Sequence, residues 1–106
     1  MTDIIVRVAD LNVASGEDVL LTVGLGSCVA IMLHDPAACV GGMAHVLLPS
    51  PALSRNTDNP ARFPQTAVPR LIELMAERGA NPRRLVARIA GGASMFANLA
   101  AMGTIQ

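Results

Sequence analysis

Cys28-Val29-Ala30-Ile31-Met32-Leu33 is an unbroken apolar run, closed by His34-Asp35-Pro36 and answered by Val40-Gly41-Gly42-Met43-Ala44-His45-Val46-Leu47-Leu48 before Pro49. Two apolar runs about a short polar connection read as a β-hairpin. In that hairpin Cys28 opens one strand and His45 lies near the end of its partner, so both stand at the same end of an antiparallel pair. A thiol and an imidazole are the minimum parts of a cysteine nucleophile and its base. Taken singly, each has a plainer reading: Cys is among the most buried residue types, and a His between Ala44 and Val46 reads as a core residue.

The residues just upstream change that balance. Thr22-Val23-Gly24-Leu25-Gly26-Ser27 leads into the cysteine. Two glycines so close suggest a tight turn, and the main-chain N–H groups of such a turn, near Gly26, Ser27 and Cys28, can hold an oxyanion beside the sulfur. The Thr22 hydroxyl can orient an imidazole, although by itself Thr22 is only a β-branched strand residue. Cys39 has no comparable setting and reads as a small core hydrophobe. A metal site built from Cys28, His34, Cys39 and His45 matches no familiar zinc spacing. Gly24-x-Gly26 lacks the third glycine of a dinucleotide fingerprint.

The chain has 106 residues, 52% apolar and 15% charged, with 8 basic and 8 acidic side chains. That is enough for one modest core. Phe63 and Phe96 are the only aromatic rings, so the core is built from Val, Leu, Ile, Ala and Met. With no net charge and no aromatic platform, nucleic-acid binding is not expected. The arginines at 78, 83, 84 and 88 read as a solvated face. No apolar run is long enough to span a bilayer, and two cysteines make no disulfide framework, so a cytoplasmic location with free thiols is expected.

Ile4-Ile5-Val6-Arg7-Val8 reads as a first strand, residues 10–18 as a polar connection, and Val19-Leu20-Leu21-Thr22-Val23 as a second strand, apolar on both faces and therefore buried. Residues 50–64, dense in proline and with Asn56, Asp58 and Asn59, read as a long loop. Val68, Leu71, Ile72 and Met75 recur at helical spacing. Pro69 restricts the regular part of that helix to about Val68 onward, and Gly79 ends it. Residues 84–90 read as a strand ending at Gly91-Gly92, and residues 94–102 as a short helix.

Three stretches together, Thr22-x-Gly24-Leu25-Gly26-Ser27-Cys28-Val29, Gly42-Met43-Ala44-His45-x-x-Leu48-Pro49 and Ile89-Ala90-Gly91-Gly92-Ala93-Ser94-Met95-Phe96, resemble the CheD family of chemoreceptor glutamine deamidases. The resemblance runs from about Ile5 to the end of the chain. It implies an α/β (α+β) fold, a sandwich of mixed β-sheet with helices packed on one side. It implies a Cys–His–Thr triad of Cys28, His45 and Thr22, with no metal or organic cofactor. The reaction implied is hydrolysis of glutamine side-chain amides on methyl-accepting chemotaxis receptors, giving glutamate and ammonia. CheC-type phosphatases are the implied further partner.

The chain departs from the family pattern in two places. Family members continue well past Gly91-Gly92, so residues 1–106 are expected to form one CheD-like domain lacking the family's C-terminal portion. Phe63 stands where the family usually carries a tyrosine. The expected function is therefore a protein-glutamine glutaminase; the alternative is a truncated, non-catalytic adaptor that binds chemoreceptors or a CheC-type phosphatase. A thiol enzyme acting on some other amide is a third reading.

Overall fold

The computed structural model describes residues 2–26, 28–47 and 59–92. Among them are six strands and one α-helix: β1 (Asp3–Ile5), β2 (Asp10–Ser15), β3 (Val19–Leu21), β4 (Val29–Asp35), β5 (Val40–Val46), α1 (Pro64–Glu77) and β6 (Val86–Gly91). β4 and β5 form the expected hairpin, antiparallel, with Val29 opposite Val46 and Asp35 opposite Val40. This hairpin is the middle of a four-stranded antiparallel sheet in the order β2-β5-β4-β6, while β1 and β3 pair in parallel as a separate two-stranded sheet. The architecture is thus α+β.

Side-chain alternation assigns the two faces of the larger sheet. Val29, Ile31, Leu33, Val40, Ala44 and Val46 join Val13 and the helical residues Ala67, Leu71 and Met75 in one buried cluster. The spacing of Ala67, Leu71 and Met75 is four, so they form one stripe of α1, with Val68, Ile72 and Leu74 partly buried beside it. Full burial of a side chain such as Leu71 or Met75 is worth roughly 1.5–3 kcal/mol. The helix comes close because β5 has no side chain at Gly42. A Cβ there would lie 2.9 Å from Met75 Sδ and 3.1 Å from Leu71 Cδ2. On the opposite face, Leu20 of β3 approaches Gly41, and Val6, Ala30 and Met43 are buried.

Several expectations shift. The supposed connection at 10–18 contains β2, whose Leu11 and Val13 alternate toward the helix and whose neighbour throughout is β5. β1 and β3 are three residues each. β3 is not buried on both faces: Val19 is largely exposed and Val23 beyond it is 75% exposed, because β3 pairs with β1 alone. The helix starts at Pro64, four residues earlier than expected, with Pro69 inside it. Proline suits the first helical position, where its missing N–H would have no partner. Pro69 and Gln65, whose carbonyl loses its usual partner, are both exposed, so water can serve that carbonyl. Of the long loop at 50–64, Pro60–Arg62 forms a 3-10 turn capped by Asn59, which accepts from the Ala61 N–H. Residues 50–58, and the helix expected at 94–102, lie outside the described residues.

The helix ends as expected at Gly79. The Gly79 N–H donates to Ala76 and the Ala80 N–H to Met75 at 3.1 Å, a Schellman closure. The chain is then caught by Asp35. This carboxylate is fully buried and accepts from the Asn81 N–H at 2.7 Å, the Ala37 N–H at 3.0 Å, and Arg84 Nη2 at 2.9 Å and Nε at 3.1 Å. The Arg84 side chain is 45% exposed, as a solvated arginine would be, but its guanidinium is engaged by the buried acid. It closes the 3-10 turn Pro82–Arg84 onto the hairpin and sets where β6 begins.

Two outcomes follow for stability. Gly42→Val should destabilise the protein by about 1–3 kcal/mol, the usual cost of overpacking, read by denaturant titration. The Arg84 guanidinium, helped by the Asn81 N–H, holds the Asp35 carboxyl well below the usual carboxylate range against the opposing effect of burial. A depressed folded-state pKa stabilises the native state fully above the unfolded value near 4. That stabilisation is lost as pH falls, because the unfolded chain takes up the proton first. Asp35→Asn should lower Tm at pH 7 by several degrees and flatten the decline of Tm below about pH 4, measured by circular dichroism.

Candidate active site

His45 sits in β5 opposite Ala30 of β4 and Asp10 of β2. Its neighbours Ala44 and Val46 point into the helix-side core, so alternation turns the imidazole to the other face, where it is fully buried. The Asp10 carboxylate accepts from the N–H of Leu11 at 2.8 Å, and the ring's partner comes from elsewhere.

Thr22 follows β3 and carries its hydroxyl to the ring. Its Oγ1 lies 2.9 Å from His45 Nδ1 and 2.5 Å from the main-chain carbonyl of Val6. A carbonyl only accepts, so the one hydroxyl proton points at Val6. The hydroxyl oxygen must then accept from the ring, which puts a proton on Nδ1. This holds whether the imidazole is neutral or cationic. Nε2 is therefore the one position at which the ring gains or loses a proton. Nε2 is buried and has no hydrogen-bond partner among the described residues. Leaving a buried polar atom unmatched costs about 1–3 kcal/mol; among the described residues Arg62 Nε is the other such side-chain atom.

Cys28 stands two residues before Ala30, the direct cross-strand partner of His45. It is a free, partly buried thiol. The hairpin thus brings Cys28 and His45 to one end, as the sequence suggested, and Thr22 joins them from the small sheet. Gly26 lies in the turn between, exposed and at φ +50; Ser27 is outside the described residues. The turn is closed by the Cys28 N–H, which donates to Leu25 at 2.6 Å. The Cys28 amide, expected among the oxyanion donors, is thus engaged within its own turn.

His34 and Cys39 are at the opposite end of the hairpin. His34 is exposed on β4. Cys39 is exposed, not the core residue expected, and occupies the left-handed region at φ 55 in the connection to β5. Such a connection needs one residue at positive φ to reverse the chain. Among the described residues no group of three or more His, Cys, Asp and Glu is placed to hold a metal ion, and no helix is long and apolar enough to cross a membrane.

Two supports carry no signal in the sequence. One is the Val6 carbonyl, a main-chain group without a side-chain signature. The other is the end of β6 behind the thiol. Gly92 donates its N–H to the Cys28 carbonyl at 2.8 Å. Gly91, at φ +91, lies so close that a Cβ would come within 2.5 Å of that carbonyl oxygen and 3.0 Å of Leu25 Cβ. The glycine pair reads as a strand end in the sequence, and it is also the wall against which the Cys28 turn rests.

A family model described as CheD chemotactic sensory transduction matches residues 47–105. The chain belongs to the CheD family. Curated members resemble it closely. The probable chemoreceptor glutamine deamidase CheD of Clostridium novyi (strain NT) is 49% identical over 94 residues, covering 89% of this chain and 58% of that protein. Proteins of the same name from Clostridium botulinum (strain Eklund 17B / Type B) and Clostridium tetani (strain Massachusetts / E88) are 43% and 47% identical over 90% and 86% of the chain. They are covered over 59% and 55% of their own lengths. The chain therefore spans somewhat under three fifths of the curated CheD proteins it matches.

Gly91→Ala tests the support behind the thiol in this CheD chain. It forces a Cβ onto the Cys28 carbonyl and a non-glycine residue into positive φ, at a cost of about 1–3 kcal/mol. The rate of iodoacetamide alkylation at Cys28, normalised to Cys39 in the same molecule by peptide mass spectrometry, should change severalfold. The helical circular dichroism should persist.

Proposed function

We propose that this chain is a protein-glutamine deamidase that converts glutamines of methyl-accepting chemotaxis receptors to glutamate, with Cys28 as nucleophile, His45 as base and Thr22 as the residue that orients the base. The observation that carries the reading is the buried, unmatched Nε2 of His45 at the same hairpin end as the Cys28 thiol, its ring fixed by Thr22 through Nδ1. The names of the CheD relatives supply the substrate class.

The chemistry follows from these parts. Nε2 takes the thiol proton, and the thiolate attacks the carboxamide carbon of the glutamine. The oxyanion that forms is held by main-chain N–H groups of the turn, at Gly26 and Ser27, since the Cys28 amide is engaged by Leu25. Protonated Nε2 gives its proton to the departing nitrogen, ammonia leaves, and a γ-glutamyl thioester remains on Cys28. A water that loses its proton to Nε2 hydrolyses the thioester, releasing glutamate and the free thiol. Throughout, Thr22 accepts from Nδ1 and passes its own proton's hydrogen bond to Val6, so the ring keeps its orientation in both charge states. No step calls for a metal or organic cofactor. The reaction belongs in the cytosol, where the thiol stays reduced, and a CheC-type phosphatase is the further partner.

The test is incubation with a chemoreceptor cytoplasmic fragment, following glutamine-to-glutamate conversion by the mass gain at each site. Cys28→Ala should abolish conversion while the fold persists. Thr22→Val removes an orienting bond worth about 1–3 kcal/mol and should lower kcat by roughly ten- to a hundredfold, whereas Thr22→Ser should retain most of it. Absence of conversion by the folded wild-type chain would overturn the deamidase reading in favour of a binding-only role toward receptors or the phosphatase.

A further inference from the structure

The segment between β1 and β2 is bonded to His45 at two places. The Val6 carbonyl receives the Thr22 hydroxyl that meets the ring at Nδ1. Three residues later, the Ala9 N–H donates to the main-chain carbonyl of His45 itself at 2.8 Å. One short segment thus anchors both the imidazole and the backbone that carries it. Ala9 lies at φ 58, in the left-handed region. An alanine meets a steric penalty there that a glycine does not, and such a conformation persists only where the surroundings impose it.

The restraint comes from Asn59. From 50 positions away its Nδ2 donates to the Ala9 carbonyl at 2.8 Å. Its Oδ1 accepts from the Ala61 N–H at 2.9 Å. The turn so capped ends at Arg62, whose carbonyl accepts from the Leu47 N–H at 2.8 Å. Asn59 therefore closes a ring of contacts about the end of β5: His45 to Ala9, Ala9 to Asn59, and Arg62 back to Leu47.

Capping alone does not account for the contact with Ala9. The chain uses the same cap at Asn81-Pro82-Arg83, where the Asn81 side chain accepts from the Arg83 N–H at 2.9 Å. There the side-chain nitrogen makes no hydrogen bond among the described residues. Serine or aspartate caps a turn as well as asparagine does. Only the amide adds a donor that is not needed for the cap, and at position 59 that donor is spent on Ala9.

We propose that Asn59 is a positioning residue for His45: by holding Ala9 in the left-handed region, it fixes the backbone of the histidine relative to the Thr22–Val6 anchor of its ring. The structural part goes beyond the deamidase reading, and only the kinetic consequence rests on it.

The test reads the ring directly. The chain has two histidines, and His34→Gln, at the exposed far end of the hairpin, leaves one imidazole to follow by proton–nitrogen NMR. Asn59→Ser keeps a capping oxygen and deletes the donor; Asn59 is exposed, so the core is untouched. Exchange of the His45 Nδ1 proton with water should quicken by about three- to tenfold, the weight of one hydrogen bond. Ala9→Gly added to Asn59→Ser supplies the left-handed conformation without the amide and should restore most of the original rate. Damage to the cap would not be mended by a change at position 9. Asn81→Ser is the control and should leave the exchange rate unchanged. With a chemoreceptor cytoplasmic fragment, Asn59→Ser should lower kcat by a similar factor at unchanged KM, again recovered by Ala9→Gly. If Asn59→Ser loses its native circular dichroism, Asn59→Asp carries the same comparison. An unchanged exchange rate in the folded variant overturns the proposal, and so does a raised rate that Ala9→Gly leaves raised. If the ring responds as expected but the wild-type chain converts no glutamine, the positioning role stands and the deamidase reading fails.

Discussion

The structure hangs on one buried carboxylate. Asp35 ends β4, and its two oxygens receive the amides of the hairpin connection, the amide that follows the helix, and the guanidinium that precedes β6. Two chain segments far apart in sequence, the hairpin and residues 81–84, meet on it. A buried carboxylate left unpaired would be strongly unfavourable, and a paired one demands tight geometry. The start of β6 is consequently fixed against β4, and a strand fixed at Val86 opposite His34 must bring Gly91 opposite Val29. There the strand meets the Cys28 turn. The carboxylate at one end of the sheet and the thiol at the other are linked by a rigid antiparallel pair.

The legible parts of the sequence were those whose signal is local. The hairpin was readable from two apolar runs about His34-Asp35-Pro36, and with it the meeting of Cys28 and His45 at one end. The helix was readable from Leu71 and Met75, and its end from Gly79. What escaped depends on partners distant in the chain. β2 is short and half polar, and its strand character comes from lying against β5. Arg84 looked like one of several surface arginines because nothing near it in sequence announces a buried acid 49 positions away. Cys39 looked apolar by residue type, yet the reversal between two strands needed it in the connection. Pro69 seemed to bar a longer helix, and does not, because its face of α1 is open to water.

In the candidate site, the side chains were readable and their supports were not. Cys28, His45 and Thr22 are residue types that carry chemistry, and their settings in glycine-rich and apolar stretches distinguish them. That Thr22 gives its proton to Val6, and so dictates which ring nitrogen is free, follows only from where β3 lies over the larger sheet. Leu20 of the small sheet approaches Gly41 of the large one and the Thr22 hydroxyl meets the His45 ring, so the alignment of the imidazole is a property of how two sheets stack.

The relay from the imidazole ends on a peptide carbonyl and not on a side chain. Every amino acid at position 6 would present the same oxygen. Codon changes there can alter the filling of the space beneath β1, where Val6 is almost fully enclosed, but cannot delete the final acceptor. The terminus of this hydrogen-bonded chain is therefore independent of the side chain at position 6, whereas the link before it needs a hydroxyl at position 22.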